Sequence, residues 1–279
     1  MKFGIDTPHF GSFGDASLLA DLAYETEQAG WDGFFIWDHV LMWEAARVVD
    51  PWIALALVAA RTSRIRFGAM VTPVARRHPW KLARETVTLD HISGGRLIFG
   101  AGLGTDMWGE MSAFGTPSDD RLRATILDEG LEILTGLWTG KPFGFTGHHF
   151  DLKPVQFLPP PLQSPRIPIW IGGAWPKAKR PFRRAARFDG VIPITGDLNT
   201  PLTPANLRAI SAYIKRHRTS PAPFDIVFAG ETPGLSREQD REIAASIAES
   251  GATWFLESAS PFKSLEAFRT RLRKGPPRL

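Results

Sequence analysis

Short apolar runs alternate with amphipathic stretches along the whole 279-residue chain, and this alternation limits its fold more than any other feature. The strand candidates are Phe3–Thr7, Phe34–Trp37, Ile65–Val71, Arg96–Ala101, Ile167–Ile171, Gly190–Ile194, Asp225–Ala229 and Thr253–Glu257. Most are solidly apolar and rich in β-branched or aromatic residues, the pattern of strands buried on both faces of a parallel sheet. The helices between them carry readable punctuation. Asp50-Pro51 reads as an N-cap followed by proline at the first helical position, leading into WIALALVAAR. Ser17–Ala29 stops at Gly30 and Ser236–Ser250 stops at Gly251, each a glycine just past a helix end. Strand starts fall about 31 residues apart over the second to fourth units, the length of one βα unit.

Eight strands and about eight helices in one domain, 1–279, predict an α/β fold of the (β/α)8 TIM-barrel type. A doubly wound open sheet is the alternative. The long gap after the fourth strand holds a helix, Arg121–Leu137, and then residues 138–166, rich in Gly, Pro and aromatics, which read as an excursion with a short hairpin. Residues 261–279 read as a C-terminal helix with a basic, solvated tail.

Composition narrows the chemistry. The absence of cysteine excludes a disulfide scaffold, a thiolate metal site and a cysteine nucleophile. The longest uncharged apolar run, Trp52 to Ala60, has nine residues, half of what a membrane span needs. The opening MKFGIDTPHF does not read as a signal peptide, which points to the cytoplasm. The net charge of +4 is uneven: residues 261–279 hold six basic side chains against one acidic, leaving 27 − 28 = −1 for the rest. Within that rest, Arg166 to Arg187 holds seven basic residues and no acidic one. Such a distribution argues for a local anion site and against a nucleic-acid surface.

In a barrel, function gathers where the strands end and the βα loops begin. After strand two come Asp38-His39 and Trp43. The histidine suits proton exchange near neutral pH and the aspartate suits holding its tautomer, although the pair equally reads as closing a turn. Gly68-Ala69-Met70 after strand three would let a flat ring approach the backbone. Gly100-Ala101-Gly102-Leu103-Gly104-Thr105-Asp106 lacks the spacing of a dinucleotide fingerprint, so its glycines point to close approach of a cofactor. Gly172-Gly173-Ala174, read as opening a basic helix, and Thr195-Gly196 would offer backbone N–H groups to a phosphate. Trp43, Trp108 and Trp175 fall in these windows and suit a flat ligand. No metal cluster is expected, because IDTPHF lacks the His-x-His of metal-dependent barrel hydrolases.

These residues resemble the luciferase-like oxidoreductases, the (β/α)8 flavin- and deazaflavin-dependent enzymes that include bacterial luciferase and the coenzyme F420-dependent dehydrogenases. The resemblance covers nearly the whole chain. It runs through FGIDTP, WDHV, the block from Thr72 to Gly104 with TP, R-x-P, TLDxxSGGR and GxGxG, then EMSAFG, IPIWIGG and RRAARFDGVIP. It implies hydride transfer between F420 and a small organic substrate, with FMN-dependent two-component monooxygenation as the alternative and a flavin reductase as partner in that case. A non-catalytic cofactor-binding barrel is a further alternative. Asp38, His39 and Trp43 match the F420 branch in spacing, which makes them the expected catalytic residues. The expected cofactor contacts are Asp38, Ala69, Met70, Gly102, Gly104, Thr105, Gly172, Gly173, Ala174, Thr195 and Gly196. The resemblance further implies a non-proline cis peptide at Ala69–Met70, a homodimer, and a mouth opened by a reduced covering insertion. Two departures stand out. Where F420-dependent sugar-phosphate dehydrogenases have a Glu directly after GxG, this chain has Thr105 and then Asp106. The IGGAWPK segment also differs from the QAG-S loop of long-chain FMN monooxygenases.

Overall fold

The computed structural model describes residues 1–43, 46–197, 200–234, 236–260 and 262–278. Parallel strands β1 (Lys2–Thr7), β2 (Gly33–Ile36), β3 (Arg66–Ala69), β4 (Thr72–Pro73), β5 (Phe99–Gly102), β8 (Ile169–Ala174), β9 (Gly190–Ile194), β10 (Asp225–Gly230) and β11 (Trp254–Ser258) form one sheet. Its order is β3-β2-β1-β11-β10-β9-β8-β5-β4. Its two ends are consecutive in the chain: β3 lies within the run expected as the third strand, and β4 follows just past the end of that run. A bridge from Phe67 to Leu97 and the β4–β5 ladder bring the two edges together, so the sheet wraps into a barrel. The open-sheet alternative is thereby set aside.

That third strand is where the structure departs most from the expectation of one run, Ile65–Val71. β3 stops at Ala69, a cis peptide follows between Met70 and Val71, one residue beyond the Ala69–Met70 bond expected, and pairing resumes in β4, past the expected end. The excursion after α4 (Asp120–Leu137) does contain an antiparallel hairpin, β6 (Pro142–Thr146) with β7 (Asp151–Gln156).

Local chemistry accounts for the helix starts. Asp15 caps α1 (Ala16–Gln28) by accepting from Leu18 N–H, and Asp50 caps α2 (Pro51–Arg61) by accepting from Trp52 and Ile53 N–H. Gly30, with φ 84°, turns the chain out of α1 and into β2. Helix α3 (Pro79–Ser93) lies between α2 and α4.

The core has two layers. Phe3, Ile5, Phe34, Ile36, Phe67 and their neighbours pack the outside of the barrel against the helices. Inside, Phe35, Ile98, Trp170, Ile192, Val227, Trp254 and Leu256 fill the lumen, as layered side chains do in barrels of this type.

The C-terminal segment is not a solvated tail. Helix α8 (Leu265–Arg273) buries Phe268 and Leu272, and Phe268 meets Phe13 edge-on at 5.6 Å. Arg269 and Arg273 both pair with Glu25 of α1, at 2.7 and 2.9 Å, and Arg271 reaches Glu257 at 3.0 Å. Most of the positive charge there closes the barrel by meeting carboxylates.

Candidate functional site

The C-terminal mouth of the barrel gathers a buried polar cluster from loops distant in sequence. His39, just past β2, approaches Glu110 with its Nδ1 2.8 Å from Oε1. The other oxygen of Glu110 accepts from Arg76 at 2.7 Å and from the Val40 N–H at 3.2 Å. Arg76 also donates to the carboxylate of Asp38 and, at 3.2 Å, to its carbonyl. Arg77 and the Trp52 indole N–H complete the shell of Asp38, at 3.3 and 3.1 Å from Oδ2. Two guanidinium groups thus face two carboxylates whose side chains are wholly buried. The cluster is charge-balanced without the imidazole, the condition under which buried charges persist.

Glu110, 71 residues along the chain from His39, therefore does what was expected of Asp38, which is to orient the imidazole. Asp38 is committed to Arg76, Arg77 and Trp52, and its side chain has no exposed surface. Its part is to fix the loop carrying His39. His39 itself is 16% exposed and its Nε2 has no partner among the described residues. Beneath it His9 stacks nearly parallel, 6.1 Å away, with Nε2 2.9 Å from the His39 carbonyl oxygen. Burial pushes the His9 imidazole down to about 4, keeping it neutral.

Aromatic rings enclose His39. Trp37, Phe10 and Trp108 approach it edge-on at 6.2, 6.1 and 5.7 Å between centroids. Trp43, half-exposed, meets Phe10 edge-on at 5.2 Å and stacks on Phe262 at 5.7 Å on the rim. Trp175 is elsewhere: it is buried against Phe182 and Tyr213, outside the barrel.

The glycines expected to receive a cofactor have other neighbours. A Cβ on Gly102 would collide with Val71 Cγ2, and one on Gly172 would stand 3.1 Å from Val71 Cγ1. Both glycines make room for the Val71 side chain, which the break in the third strand turns into the lumen. Gly104, at φ 70°, is enclosed by Pro73 and Met111, each 2.8 Å from where its Cβ would be. Ala69 is buried toward the helices, whereas Met70 is half-buried beside the lumen cluster.

Gly172, Gly173 and Ala174 end β8 and do not open a helix; α5 (Arg180–Ala185) begins six residues later. The missing Cβ of Gly173 admits Pro181 of that helix at 2.7 Å. Ala174 pairs with Ile194 of β9, so the β8 end does lie beside Thr195 and Gly196. A Cβ on Gly196 would be 3.2 Å from Ala174 Cβ and 3.7 Å from Lys177 Cδ. The Thr195 hydroxyl, however, is engaged within its own loop by the Asp197 and Thr200 carbonyls, at 2.8 and 2.5 Å. Thr105 stands at the half-buried start of the following loop, and its hydroxyl accepts from Met107 N–H at 3.2 Å. Asp106 caps the next turn, where the Ser112 and Met111 N–H groups hold its carboxyl below the usual range. Within the basic segment Arg184 pairs with Asp128 at 2.6 Å and Arg166 with Asp189 at 3.1 Å, so not all of its charge serves a ligand.

Glu110, Arg76, His9 and Trp37 escape sequence reasoning. Glu110 opens the EMSAFG block and Trp37 the WDHV block, but neither motif by itself singles out these side chains.

Comparison with known proteins places these features in context. The family model for luciferase-like monooxygenases matches residues 1–241. An F420-dependent glucose-6-phosphate dehydrogenase from Nakamurella multipartita is 33% identical over 205 residues, which is 72% of this chain and 58% of that protein. An F420-dependent hydroxymycolic acid dehydrogenase from Mycobacterium tuberculosis is 33% identical over 181 residues, 63% of this chain and 49% of that protein. The chain thus spans between about half and three-fifths of the length of these relatives. In fold, it matches an F420-dependent secondary alcohol dehydrogenase bound to an F420–acetone adduct, with a TM-score of 0.81 at 15% identity over 99% of this chain and 98% of that one. It also matches the FMN-bound oxygenating constituent of 3,6-diketocamphane monooxygenase from Pseudomonas putida, at 0.78 and 15% over 98% and 96%. With the family match reaching from β1 into α7 (Arg237–Glu249), and with this barrel beneath it, the chain belongs to the luciferase-like monooxygenase family.

Proposed function

We propose that this protein is an oxidoreductase that moves hydride between coenzyme F420 and a small organic substrate at the barrel mouth. The observation that carries this reading is the His39–Glu110–Arg76 arrangement, which holds a partly exposed imidazole by one nitrogen and leaves the other free. The curated relatives described above, both named as F420-dependent dehydrogenases, support F420 over FMN.

The residues present fit a flat ring with an anionic tail. Half-buried Met70 and Val71 offer an apolar floor, and Trp43 and Trp108 stand edge to face at 6.5 Å beside Phe10 and His39. The bare Gly196 backbone beside Lys177 would receive the tail, with Ala174 at its side. When bound, the deazaflavin supplies the hydride chemistry. His39 Nε2 would hold or take the proton of the substrate oxygen, with Nδ1 tied to Glu110 so that the ring keeps one orientation. Trp43 and Phe262 at the rim limit the access of water.

Titrating the purified protein with F420 and with FMN, each followed by fluorescence quenching, tests the reading. F420 is expected to bind with a Kd on the order of micromolar and FMN more weakly. His39→Ala is expected to retain F420 binding while losing about 10²–10⁴-fold in hydride transfer. Absence of binding by either cofactor refutes the reading.

A further inference from the structure

Asp6 has no part in the cluster described above, yet it lies at the same mouth. It is the penultimate residue of β1, laddered between Phe35 of β2 and Ser258 of β11. Phe3 and Ile5 pack outward, so the alternation of the strand turns Gly4 and Asp6 into the lumen. A Cβ on Gly4 would indeed touch Leu256 and Phe35, both in the lumen cluster. Asp6 is 7% exposed. One carboxyl oxygen, Oδ2, accepts from the Trp37 indole N–H at 3.1 Å. The other, Oδ1, is buried without any hydrogen-bond partner among the described residues. Buried polar oxygens are rarely left so, and each such case calls for an explanation.

The chemistry of Trp37 decides which explanation applies. An indole N–H only donates, so it takes the oxygen that behaves as a carbonyl. In a neutral Asp6 the proton therefore resides on Oδ1, which becomes a donor with no acceptor among the described residues. We propose that the Oδ1–H of Asp6 is a binding group that donates to a carbonyl oxygen of a ligand seated in the mouth.

The surroundings favour the neutral form. Burial pushes the Asp6 carboxyl up to about 7, and the Trp37 bond pulls only partly against it. Titratable groups on the flanking elements are turned elsewhere. On β11, Glu257 directs its carboxylate to Thr232 and Arg271. Beyond β2, His39 is bound to Glu110, and Trp37 stands next to both His39 and Asp6. Thr7 on β1 hydrogen-bonds to the Pro8 carbonyl.

The inference rests on the functional reading above, and the carbonyl has two possible sources, the cofactor ring or the substrate. The test measures affinity for F420, for FMN, and for cyclohexanone with F420 present, at about pH 6 and about pH 9, in wild type, Asp6→Asn and Asp6→Leu. Asparagine gives Trp37 its oxygen and keeps N–H donors in place of Oδ1–H at any pH. Leucine has no donor, and circular dichroism confirms that both variants fold. For at least one ligand, wild-type affinity is expected to fall by about tenfold or more at the higher pH, as the competent protonated fraction shrinks. Asp6→Asn should hold the low-pH affinity at both values, and Asp6→Leu should bind weakly at both. Seen with F420 or FMN, the pattern assigns the acceptor to the ring; seen with cyclohexanone alone, to the substrate. Affinities that are flat for all three ligands, or equal in Asn and Leu variants, overturn the inference alone. A wild type that binds neither cofactor overturns the functional reading and this inference with it.

Discussion

Replacing Asp6 with asparagine should change how stability depends on pH, without any ligand. The folded protein holds the Asp6 proton up to about pH 7, whereas the unfolded chain releases it near the ordinary 3.8. Between those values the folded state carries more protons than the unfolded one, so raising the pH destabilises it. Evaluated over the interval from pH 5 to pH 8, a single group moved this far costs the wild type about 2–3 kcal/mol. Asp6→Asn presents the same hydrogen bond to Trp37 and cannot ionise, so it escapes that cost. The difference in unfolding free energy, variant minus wild type, should thus rise by about 2–3 kcal/mol between the two pH values. In urea unfolding of a chain this size, that corresponds to a midpoint moving by about 1 M. Urea denaturation of both proteins at each pH, followed by tryptophan fluorescence and by circular dichroism, reads it directly. A difference that stays constant between pH 5 and pH 8, within about 0.5 kcal/mol, would refute the reasoning. It would mean that Asp6 is hydrated in the folded state and that its lone oxygen already has a partner in water.

Two further substitutions probe the rest of the mouth. Glu110→Gln leaves Arg76 buried with one carboxylate in place of two, and should cost about 3–5 kcal/mol of unfolding free energy; a loss under about 1 kcal/mol would remove Glu110 as the group holding the cluster. Gly102→Ala drives a methyl into Val71 and should cost about 1–3 kcal/mol and weaken F420 binding. Adding Val71→Ala should recover part of the stability, and a double variant no more stable than the single one would show that Val71 is not what the glycine accommodates.

Much of the barrel was legible because its signals are local. Strand starts, the Asp50-Pro51 cap and the hairpin in the excursion all follow from residues a few positions apart. The break in the third strand was not, since Ala69-Met70-Val71 reads as continuous strand until Val71 must share the lumen with Gly102 and Gly172. The α5 start was misplaced for a related reason. Gly172-Gly173 looks like a loop, yet on β8 these glycines admit Val71 on one side and Pro181 on the other. In the C-terminal segment, a basic composition concealed specific partners on α1 and β11.

The sequence by itself determined the barrel, because hydrophobic period and helix caps are set by near neighbours, and it nominated His39 and Trp43 as expected site residues. Only the tertiary structure decided what His39 leans on, what Asp38 does, and that Asp6 and Trp37 share a hydrogen bond. Those contacts join residues separated by 71, 38 and 31 positions. Closing the sheet brings them together, and burial then changes what each carboxyl can do. A lone aspartate in a strand reads as nothing in particular until the lumen removes its water.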